Sequence, residues 1–216
     1  MNNKIVNSGK INIIIGCMYS GKSTEMIRII NRYKNMSNIN ILVINHKIDK
    51  RYGENVVSSH DKIQIKCLSL EKLSDLKNMN EYNDANIIFI EEAQFFKDLY
   101  DFSINAADND HKHLYIVGLD GDYLRRPFGD ICKLIPHAEE VTKLKALCLK
   151  CNDGTEAAFT KRIVDDNSLE LVGSNEKYIA VCRYHYLDYI FLRVFLLKPR
   201  YTILNTIVDK FIIDFT

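Results

Sequence analysis

The stretch Gly16–Glu25, GCMYSGKSTE, directly follows the apolar run Ile11–Ile15. Within it, Gly16–Ser23 matches the spacing G-x-x-x-x-G-K-[ST]. Glycines let the backbone approach a phosphate closely, so that successive N–H groups turn onto its oxygens, and the following helix adds a positive dipole. The alternative is a glycine-rich turn with an exposed lysine, but a buried strand before the motif and an amphipathic helix after it favour a phosphate-binding loop. We therefore predict a nucleotide site, with Lys22 reaching the β- and γ-phosphates and Ser23 holding Mg²⁺.

The bulk composition excludes some classes of protein. The chain has 216 residues, of which 47% are hydrophobic, enough to bury a core in one or two domains. Lys and Arg number 29 against 28 Asp and Glu, so no overall charge attracts nucleic acid or a membrane surface. No apolar run reaches the roughly 18 residues that span a bilayer, since Tyr189–Leu197 is short and contains Arg193. The N-terminus lacks the apolar segment of a signal peptide, so we expect a cytoplasmic protein.

The order of apolar runs predicts an α/β fold. Four runs have the β-branched character of buried parallel strands, and they are Ile11–Ile15, Asn38–Ile44, Ala85–Ile90 and His113–Leu119. Helical spacing of apolar residues follows Lys22, and leucines recurring every three residues predict a second helix over LSLEKLSDL, residues 68–76. Strands that alternate with helices in this way form a parallel sheet.

The character of the sequence changes near Cys148, where the apolar runs shorten and turn residues become frequent. We predict a nucleotide-binding α/β domain at residues 1–146 and a small appended module at 147–186. Residues 187–216 form a C-terminal extension of unknown role. Apolar residues between Ile203 and Ile212 have helix-like spacing there.

Two adjacent carboxylates, Glu91 and Glu92, end the third apolar run. In a parallel α/β sheet, ligands gather at the carboxyl ends of strands, where the loop before Ser23 also lies. One carboxylate there can bind the Mg²⁺ shell, and its neighbour, pointing the other way, can act as a general base. The alternative for two such residues is a solvated turn.

Cys148-x-x-Cys151 is followed thirty residues later by Cys182-x-x-His185. Two pairs at this spacing around a small module indicate a Cys₃His zinc site, which is structural because four protein ligands leave no open position. The alternatives are a redox Cys-x-x-Cys pair or unrelated buried thiols. The remaining cysteines, interpreted as core or loop residues, are Cys17, Cys67 and Cys132.

The loop Leu119–Ile131, LDGDYLRRPFGDI, follows the fourth apolar run and should lie at the same ligand-binding edge. Tyr123 and Phe128 offer flat surfaces that suit a nucleobase, although core packing explains them equally well. Arg125 and Arg126 in the same loop are candidate anion binders. The histidines elsewhere in the chain are interpreted as structural.

Taken together, these motifs resemble the type II thymidine kinases. The matching stretches are GCMYSGKSTEMIR, DKRYG…HDK, IEEAQFF, LDGDYLRRPFGDI, LCLKC…AAFTKR and YIAVCRYH, in order, over roughly residues 8–186. The resemblance implies a RecA-like P-loop parallel sheet with a small zinc-binding lasso domain. It also implies transfer of the γ-phosphate of ATP to the 5′-hydroxyl of thymidine with Mg²⁺, giving dTMP. Feedback inhibition by dTTP and a homotetramer are further expectations from the family, with no nucleic-acid or membrane partner.

The resemblance also implies roles for individual residues. Glu92 matches the catalytic base, and Glu91 matches a position in the Mg²⁺ shell. ATP and Mg²⁺ are expected at Gly16, Cys17, Met18, Tyr19, Ser20, Gly21, Lys22, Ser23, Asp49, Arg51, Glu91 and Gln94. The nucleoside pocket is expected at Met18, Phe95, Leu119, Tyr123, Phe128 and Thr160. The lasso residues expected at the base, largely through main-chain groups, are Leu169, Glu170, Leu171, Val172, Gly173 and Tyr178. The implied zinc ligands are Cys148, Cys151, Cys182 and His185.

Four residues depart from the usual family pattern. Cys17 replaces a proline in the phosphate loop, which loosens φ but keeps the N–H groups. Glu91 replaces an aspartate, and one extra methylene alters its reach toward Mg²⁺. Tyr123 replaces a phenylalanine and adds a hydroxyl that needs a partner. His185 replaces a cysteine and is compatible with zinc.

Two other classes of protein compete with this interpretation. A RecA-like ATPase acting on nucleic acid would need a basic face, which the charge balance does not provide. A decayed, non-catalytic relative would be expected to lose Lys22, Ser23 or Glu92, and all three are present.

Overall fold

The computed structural model describes residues 8–49, 55–58, 63–164 and 177–188. The strands in chain order are β1 (Lys10–Gly16), β2 (Ile41–His46), β3 (Val56–Ser58), β4 (Gln64–Lys66), β5 (Leu68–Leu70), β6 (Ile87–Ile90), β7 (His113–Gly118), β8 (Glu140–Leu144), β9 (Ala146–Leu147), β10 (Glu156–Ala157), β11 (Phe159–Arg162) and β12 (Tyr178–Val181). The α-helices are α1 (Lys22–Tyr33), α2 (Asn80–Asp84) and α3 (Leu99–Asp108). Short 3₁₀ helices cover Leu73–Asn78, Ala93–Phe95 and Ile131–His137.

Six strands form a central sheet in the order β5-β2-β6-β7-β1-β8. Every neighbouring pair in it is parallel. The predicted parallel α/β fold is therefore confirmed, and the four predicted strands correspond to β1, β2, β6 and β7. Their runs of buried, β-branched residues suit a sheet that is covered on both faces.

Alternation along the strands supplies two hydrophobic cores, one on each face of the sheet. In β1, Ile13 packs in one core and Ile14 in the other, because successive side chains of a strand point to opposite faces. The core around Ile14 receives the buried face of α1, which includes Met26 and Ile30. The core around Ile13 receives Leu99 and Phe102 of α3, among others. Packing on both faces fixes β1, and with it the loop that follows.

The helix predicted over residues 68–76 is only partly correct. Leu68–Leu70 pairs with β2 as the edge strand β5, and a 3₁₀ helix begins at Leu73. Leu73 and Leu76 are both 0% exposed, as expected when residues three apart lie above one another at 3.0 residues per turn. The leucine spacing was therefore that of a 3₁₀ helix.

A second region, which we call the Cys/His module, comprises residues 146–164 and 177–188. It contains the antiparallel pairs β9–β10 and β11–β12 and a helical segment at residues 183–188. Its small core includes Ala157, Val181 and Tyr186 and also takes in Cys17 from the phosphate loop. The module thus packs directly on the loop after β1.

Part of the sequence predictions lies outside the described residues. These are the lasso segment Leu169–Gly173, the loop residue Arg51 and all of the C-terminal extension after Asp188. No helix in the described part of the chain is long and apolar enough to cross a bilayer.

Candidate active site

The loop between β1 and α1 is strongly bent. Gly16, Tyr19 and Gly21 have φ of 156°, 65° and 84°. A Cβ at Gly16 would collide with the carbonyl oxygen of Leu144, so only glycine fits where β1 passes β8. When residues with positive φ alternate with residues in the right-handed conformation, successive backbone N–H groups point into one concavity of the loop. Such a concavity suits an anion.

Two polar side chains of this loop are Lys22 and Ser20. Lys22 Nζ donates a hydrogen bond to the carbonyl oxygen of Cys17 at 2.9 Å, folding back over the loop. Ser20 Oγ is buried and has no hydrogen-bond partner among the described residues. A buried hydroxyl without a partner is costly, and a bound phosphate oxygen would supply one. The loop therefore fits the phosphates of a nucleotide.

Ser23 connects the loop to the acidic end of β6. Its Oγ donates a hydrogen bond of 2.5 Å to Glu91 Oε1, although the two residues are 68 positions apart. Glu91 is only 4% exposed. A hydroxyl and a buried carboxylate in contact at the mouth of a phosphate loop are the oxygen ligands that Mg²⁺ prefers. The predicted proximity of these two residues is what the structure shows.

Glu92 faces a different group. Its backbone is in the left-handed region, with φ of 51°, which is uncommon for a residue with a side chain. Gln94 Nε2 donates to Glu92 Oε2 at 2.6 Å. The two adjacent carboxylates therefore have different hydrogen-bond partners, Ser23 for Glu91 and Gln94 for Glu92.

Gln94 is held by groups that sequence reasoning missed. It is 3% exposed, and its Oε1 accepts a hydrogen bond from the Leu119 N–H at 3.0 Å. A Cβ at Gly118 would collide with Gln94 Oε1, and one at Gly129 would collide with the Gln94 carbonyl oxygen. Glycine is required at 129, where the clash is with backbone and φ is 60°, whereas a side chain at 118 would push Gln94 Oε1 from its place. The signal for them in the sequence was glycine at a strand end and in a loop.

Aromatic rings line the neighbouring space. The rings of Phe95 and Phe128 meet edge to face, with centroids 5.4 Å apart. The ring of His46 packs against those of Phe95 and Phe96, with centroids 5.8 and 4.7 Å apart, in line with its interpretation as structural.

Asp49, which is predicted to lie near ATP and Mg²⁺, is found just beyond β2. Its carboxylate accepts a hydrogen bond from Asn45 Nδ2 at 3.3 Å.

The loop after β7 is organised by Asp122, a residue that the sequence did not single out. Asp122 is 7% exposed, and its carboxylate accepts hydrogen bonds from the N–H groups of Leu124 and Arg126 and from the Arg126 guanidinium. The loop presents Tyr123 toward the Cys/His module, where Tyr186 Oη donates to the Tyr123 carbonyl oxygen at 2.8 Å. The position of Tyr123 therefore depends on both regions.

The phosphate loop also contacts the module. The Met18 N–H donates to Thr160 Oγ1 at 2.9 Å, and Cys17 Sγ donates to the Ala157 carbonyl oxygen at 3.4 Å. Burial raises the pKa of the Cys17 thiol, so it is a packed, protonated side chain rather than a reactive thiolate. These contacts bring together Met18 and Thr160, two residues predicted for the nucleoside pocket. Tyr178 begins β12 and pairs with Arg162, two positions after Thr160 in β11.

The four predicted zinc ligands form one cluster, in which the donor atoms all lie within 4.8 Å of one another. Cys151 Sγ is 3.7 Å from Cys182 Sγ, and the three sulfur atoms lie 3.3 to 3.6 Å from His185 Nδ1. Tetrahedral zinc with its usual bond lengths separates two sulfurs by about 3.8 Å and a sulfur from a nitrogen by about 3.6 Å. The donor set is therefore compatible with zinc in both chemistry and spacing.

The thiols of the cluster differ in pKa. Burial raises the pKa of the Cys148 thiol, but backbone N–H groups of Cys182, Cys151 and Lys150 outweigh it and bring the pKa to about 6. Burial and the neighbouring thiols of Cys148 and Cys182 raise the pKa of Cys151 to about 11. Because zinc binds the thiolate form, metal binding at this set would displace the proton from Cys151.

The parallel sheet, the phosphate loop after β1 and the acidic end of β6 define a P-loop nucleotide-binding protein of the phosphotransferase kind. Residues 9–186 match the thymidine kinase family. The thymidine kinase of Yaba monkey tumor virus is 44% identical over 179 residues, covering 83% of this chain and 95% of the viral protein. That of vaccinia virus (strain Western Reserve) is 40% identical, covering 85% and 99%. That of Oryza sativa subsp. japonica is also 40% identical, covering 83% and 67%. The chain belongs to the thymidine kinase family.

Proposed function

We propose that the protein transfers the γ-phosphate of ATP to the 5′-hydroxyl of thymidine and so produces dTMP. Family membership over residues 9–186 supports the choice of thymidine. The observation that carries the reaction is the hydrogen bond from Ser23 to Glu91, which joins the phosphate loop to the strand end bearing Glu92. Phosphoryl transfer needs a loop that binds the nucleotide, a carboxylate that holds Mg²⁺ and a base for the acceptor hydroxyl, and this site offers a candidate for each.

ATP would be held by the phosphate loop, with Lys22 near the β- and γ-phosphates and the Ser20 hydroxyl as a further donor. The full proposed set for ATP and Mg²⁺ is Gly16, Cys17, Met18, Tyr19, Ser20, Gly21, Lys22, Ser23, Asp49, Arg51, Glu91 and Gln94. Ser23 and Glu91 would hold Mg²⁺, which, when bound, neutralises negative charge on the phosphates.

Glu92 would act as the general base. The acceptor hydroxyl must lose its proton as its oxygen bonds to phosphorus, and a positioned carboxylate can take it. The hydrogen bond from Gln94 fixes this carboxylate in one orientation. Lys22 would stabilise the charge that shifts toward the phosphate oxygens during transfer.

The thymidine pocket would form between the sheet edge and the Cys/His module. Its proposed lining is Met18, Phe95, Leu119, Tyr123, Phe128, Thr160 and Tyr178, together with main-chain groups of residues 169–173. Contacts across the two regions, such as Met18 to Thr160, support this location. Zinc at Cys148, Cys151, Cys182 and His185 would be structural, since four protein ligands leave no open position.

Three further proposals rest on family membership alone. We propose that the protein is a homotetramer, that dTTP inhibits it as a feedback inhibitor, and that it acts in the cytoplasm. Size-exclusion chromatography with light scattering and a dTTP titration would test the first two.

The test of the reaction is ATP-dependent phosphorylation of thymidine by the purified protein. Glu92→Gln and Lys22→Ala should each lower kcat by about 100-fold or more, since loss of a general base or of charge stabilisation has such effects. A panel of pyrimidine and purine nucleosides, run in parallel, should show thymidine as the preferred acceptor. Turnover of wild type no faster than that of the two variants would refute the proposal.

A further inference from the structure

Tyr123 and Tyr178, both proposed for the thymidine pocket, come from different regions of the molecule, and the side chain of Arg162 lies between them. Its guanidinium carbon is 3.8 Å from the ring centroid of Tyr123 and 5.1 Å from that of Tyr178. Its Nη2 also donates a hydrogen bond of 2.5 Å to Tyr178 Oη. Building on the proposed function, we infer that Arg162 is a positioning residue for the nucleoside acceptor, which fixes Tyr123 relative to Tyr178.

Arg162 is set deep in the structure. It is the last residue of β11, is only 9% exposed, and lies opposite Tyr178 in the register with β12. The next pair is closed by a hydrogen bond of 2.9 Å from the Ile163 N–H to the Lys177 carbonyl oxygen. Burying a guanidinium is costly, so its position is set by the groups that offset the cost. Here those groups include the two tyrosines.

The loop that carries Tyr123 is held at a second point. Tyr186 Oη bonds its carbonyl oxygen, and the Arg125 guanidinium carbon lies 4.3 Å from the Tyr186 ring centroid. Tyr186 follows the cluster residue His185, and its N–H donates to the Cys182 carbonyl oxygen. The module therefore contacts Tyr123 at two points. Arg162 stacks on its ring, and Tyr186 donates a hydrogen bond to its carbonyl oxygen. Neither contact reaches the phosphate loop.

Arginine is required by this geometry rather than positive charge alone. A planar guanidinium can stack on one ring while an N–H in its plane reaches a hydroxyl, whereas a lysine ammonium is a compact charge that cannot do both. Arg162→Lys keeps the charge and most of the length but loses the stacking and the directed bond. The expected result is a rise in the KM for thymidine of about 10-fold, with kcat and the KM for ATP within about twofold of wild type.

The experiment compares wild type, Arg162→Lys, Tyr178→Phe and the matched control Arg183→Lys. Arg183 is an exposed arginine of the same module, over the ring of Phe159 at 4.8 Å. Each protein is assayed for both KM values, kcat, bound zinc and the rise in Tm that thymidine or ATP causes. Tyr178→Phe, which loses only the hydroxyl, should raise the KM for thymidine about threefold. Arg183→Lys should match wild type.

The outcomes separate this inference from the proposed function. If wild type does not phosphorylate thymidine, the proposed function is wrong. If wild type is active, three results for Arg162→Lys overturn the inference. They are an unchanged KM for thymidine, an equal rise in both KM values, and loss of zinc, and each would mean that the arginine is merely structural. Should Arg162→Lys fail to fold, Tyr178→Phe decides: an unchanged KM for thymidine overturns the inference, and a selective rise supports it.

Discussion

The central sheet and the Cys/His module are stabilised by different means, although both contain cysteine. The sheet packs apolar residues such as Phe89 and Ile13 on both faces, and most are nearly inaccessible to solvent. The module has a core of a few residues and short two-stranded pairs. Cys67 is a buried thiol against the sheet, whereas Cys148 belongs to a set of four residues that could hold a metal ion. We predict from this difference that apolar burial folds the sheet and that the proposed zinc folds the module, so each should fail under its own perturbation.

Removing the metal should separate the two regions most strongly. In small zinc modules the metal contributes about 10–16 kcal/mol of folding free energy, far more than this small core can. A strong chelator, or Cys148→Ser, should release zinc and lower kcat/KM for thymidine by more than about 100-fold. The rise in Tm caused by ATP should become smaller but remain, because Lys22 and Ser23 begin α1 on the sheet, whereas Cys17 and Met18 of the loop contact the module. Zinc analysis, turnover and thermal unfolding measure the three effects.

Cys132→Ser is the control for that experiment, since Cys132 lies outside the cluster, packs against the core of the sheet and donates to the Asp120 carbonyl oxygen at 3.3 Å. It should keep zinc and thymidine turnover. Full activity without zinc, or loss of the ATP effect together with zinc, would show that the two regions do not fold by separate means.

The converse change is a cavity in the sheet. Phe89 is 0% exposed and stacks on Tyr115, with ring centroids 4.7 Å apart and planes at 7°. Phe89→Ala should lower the free energy of unfolding by about 3–5 kcal/mol, while Phe89→Leu should cost about 1 kcal/mol. Urea unfolding measures both, and zinc content below the transition should stay at the wild-type level. One outcome would contradict the prediction. It is that Phe89→Ala releases zinc at urea concentrations where its sheet is still folded, while wild type keeps its zinc at the same concentrations.

The sequence predicted the centre of the fold better than its edges. Strands β1 and β6 are buried on both faces, so their apolar runs are continuous and easily recognised. The edge strand β8, with sequence EVTKL, has no buried residue and no such run, and β5 has three residues. Both edges form because a neighbouring strand offers hydrogen bonds, which is information from tertiary structure rather than from the segment.

In the candidate site, too, some features could be predicted from the sequence and others could not. Lys22, Ser23 and the Cys/His set lie in short motifs whose spacing implies their geometry. The contacts of Arg162 with Tyr123 and of Met18 with Thr160 join segments far apart in the chain, 142 positions in the second case. Such contacts depend on how the module docks on the sheet, and no local pattern encodes that docking. The nearby glycines matter only because particular atoms face them.

A smaller effect is expected from the group that orients the proposed base. Gln94→Ala removes the hydrogen bond to Glu92 and the partner of the Leu119 N–H, but leaves both carboxylates in place. Misplacing a reacting group by about 1 Å can cost about 100-fold, so kcat should fall by about 10- to 100-fold. Zinc content should not change, because Gln94 lies on the sheet side. Gln94→Glu is the matched variant for Gln94→Ala. It keeps the size and an acceptor for the Leu119 N–H but loses the donor to Glu92.

Steady-state kinetics decides this prediction. If Gln94→Ala retains wild-type kcat, the hydrogen bond from Gln94 is not what orients Glu92. If instead Glu92→Gln and Gln94→Ala lower kcat equally and the double variant is no worse, the two side chains act as one unit.

The smallest expected effect concerns the buried thiol of Cys67. Burial raises its pKa to about 11, because the thiolate is poorly solvated against the sheet. The folded state therefore binds its proton more tightly than the unfolded state, whose thiol has a pKa of about 8.5. The resulting stability is present in full below that value and is lost as the pH rises toward 11. Between pH 8 and pH 10 the thiol should account for a loss of the order of 1 kcal/mol in the free energy of unfolding. Cys67→Ala should be less stable at pH 8 because of lost packing, yet lose less stability on going to pH 10. Urea unfolding at the two pH values measures the difference, and an equal loss in both proteins would mean that the sheet does not hold this thiol protonated.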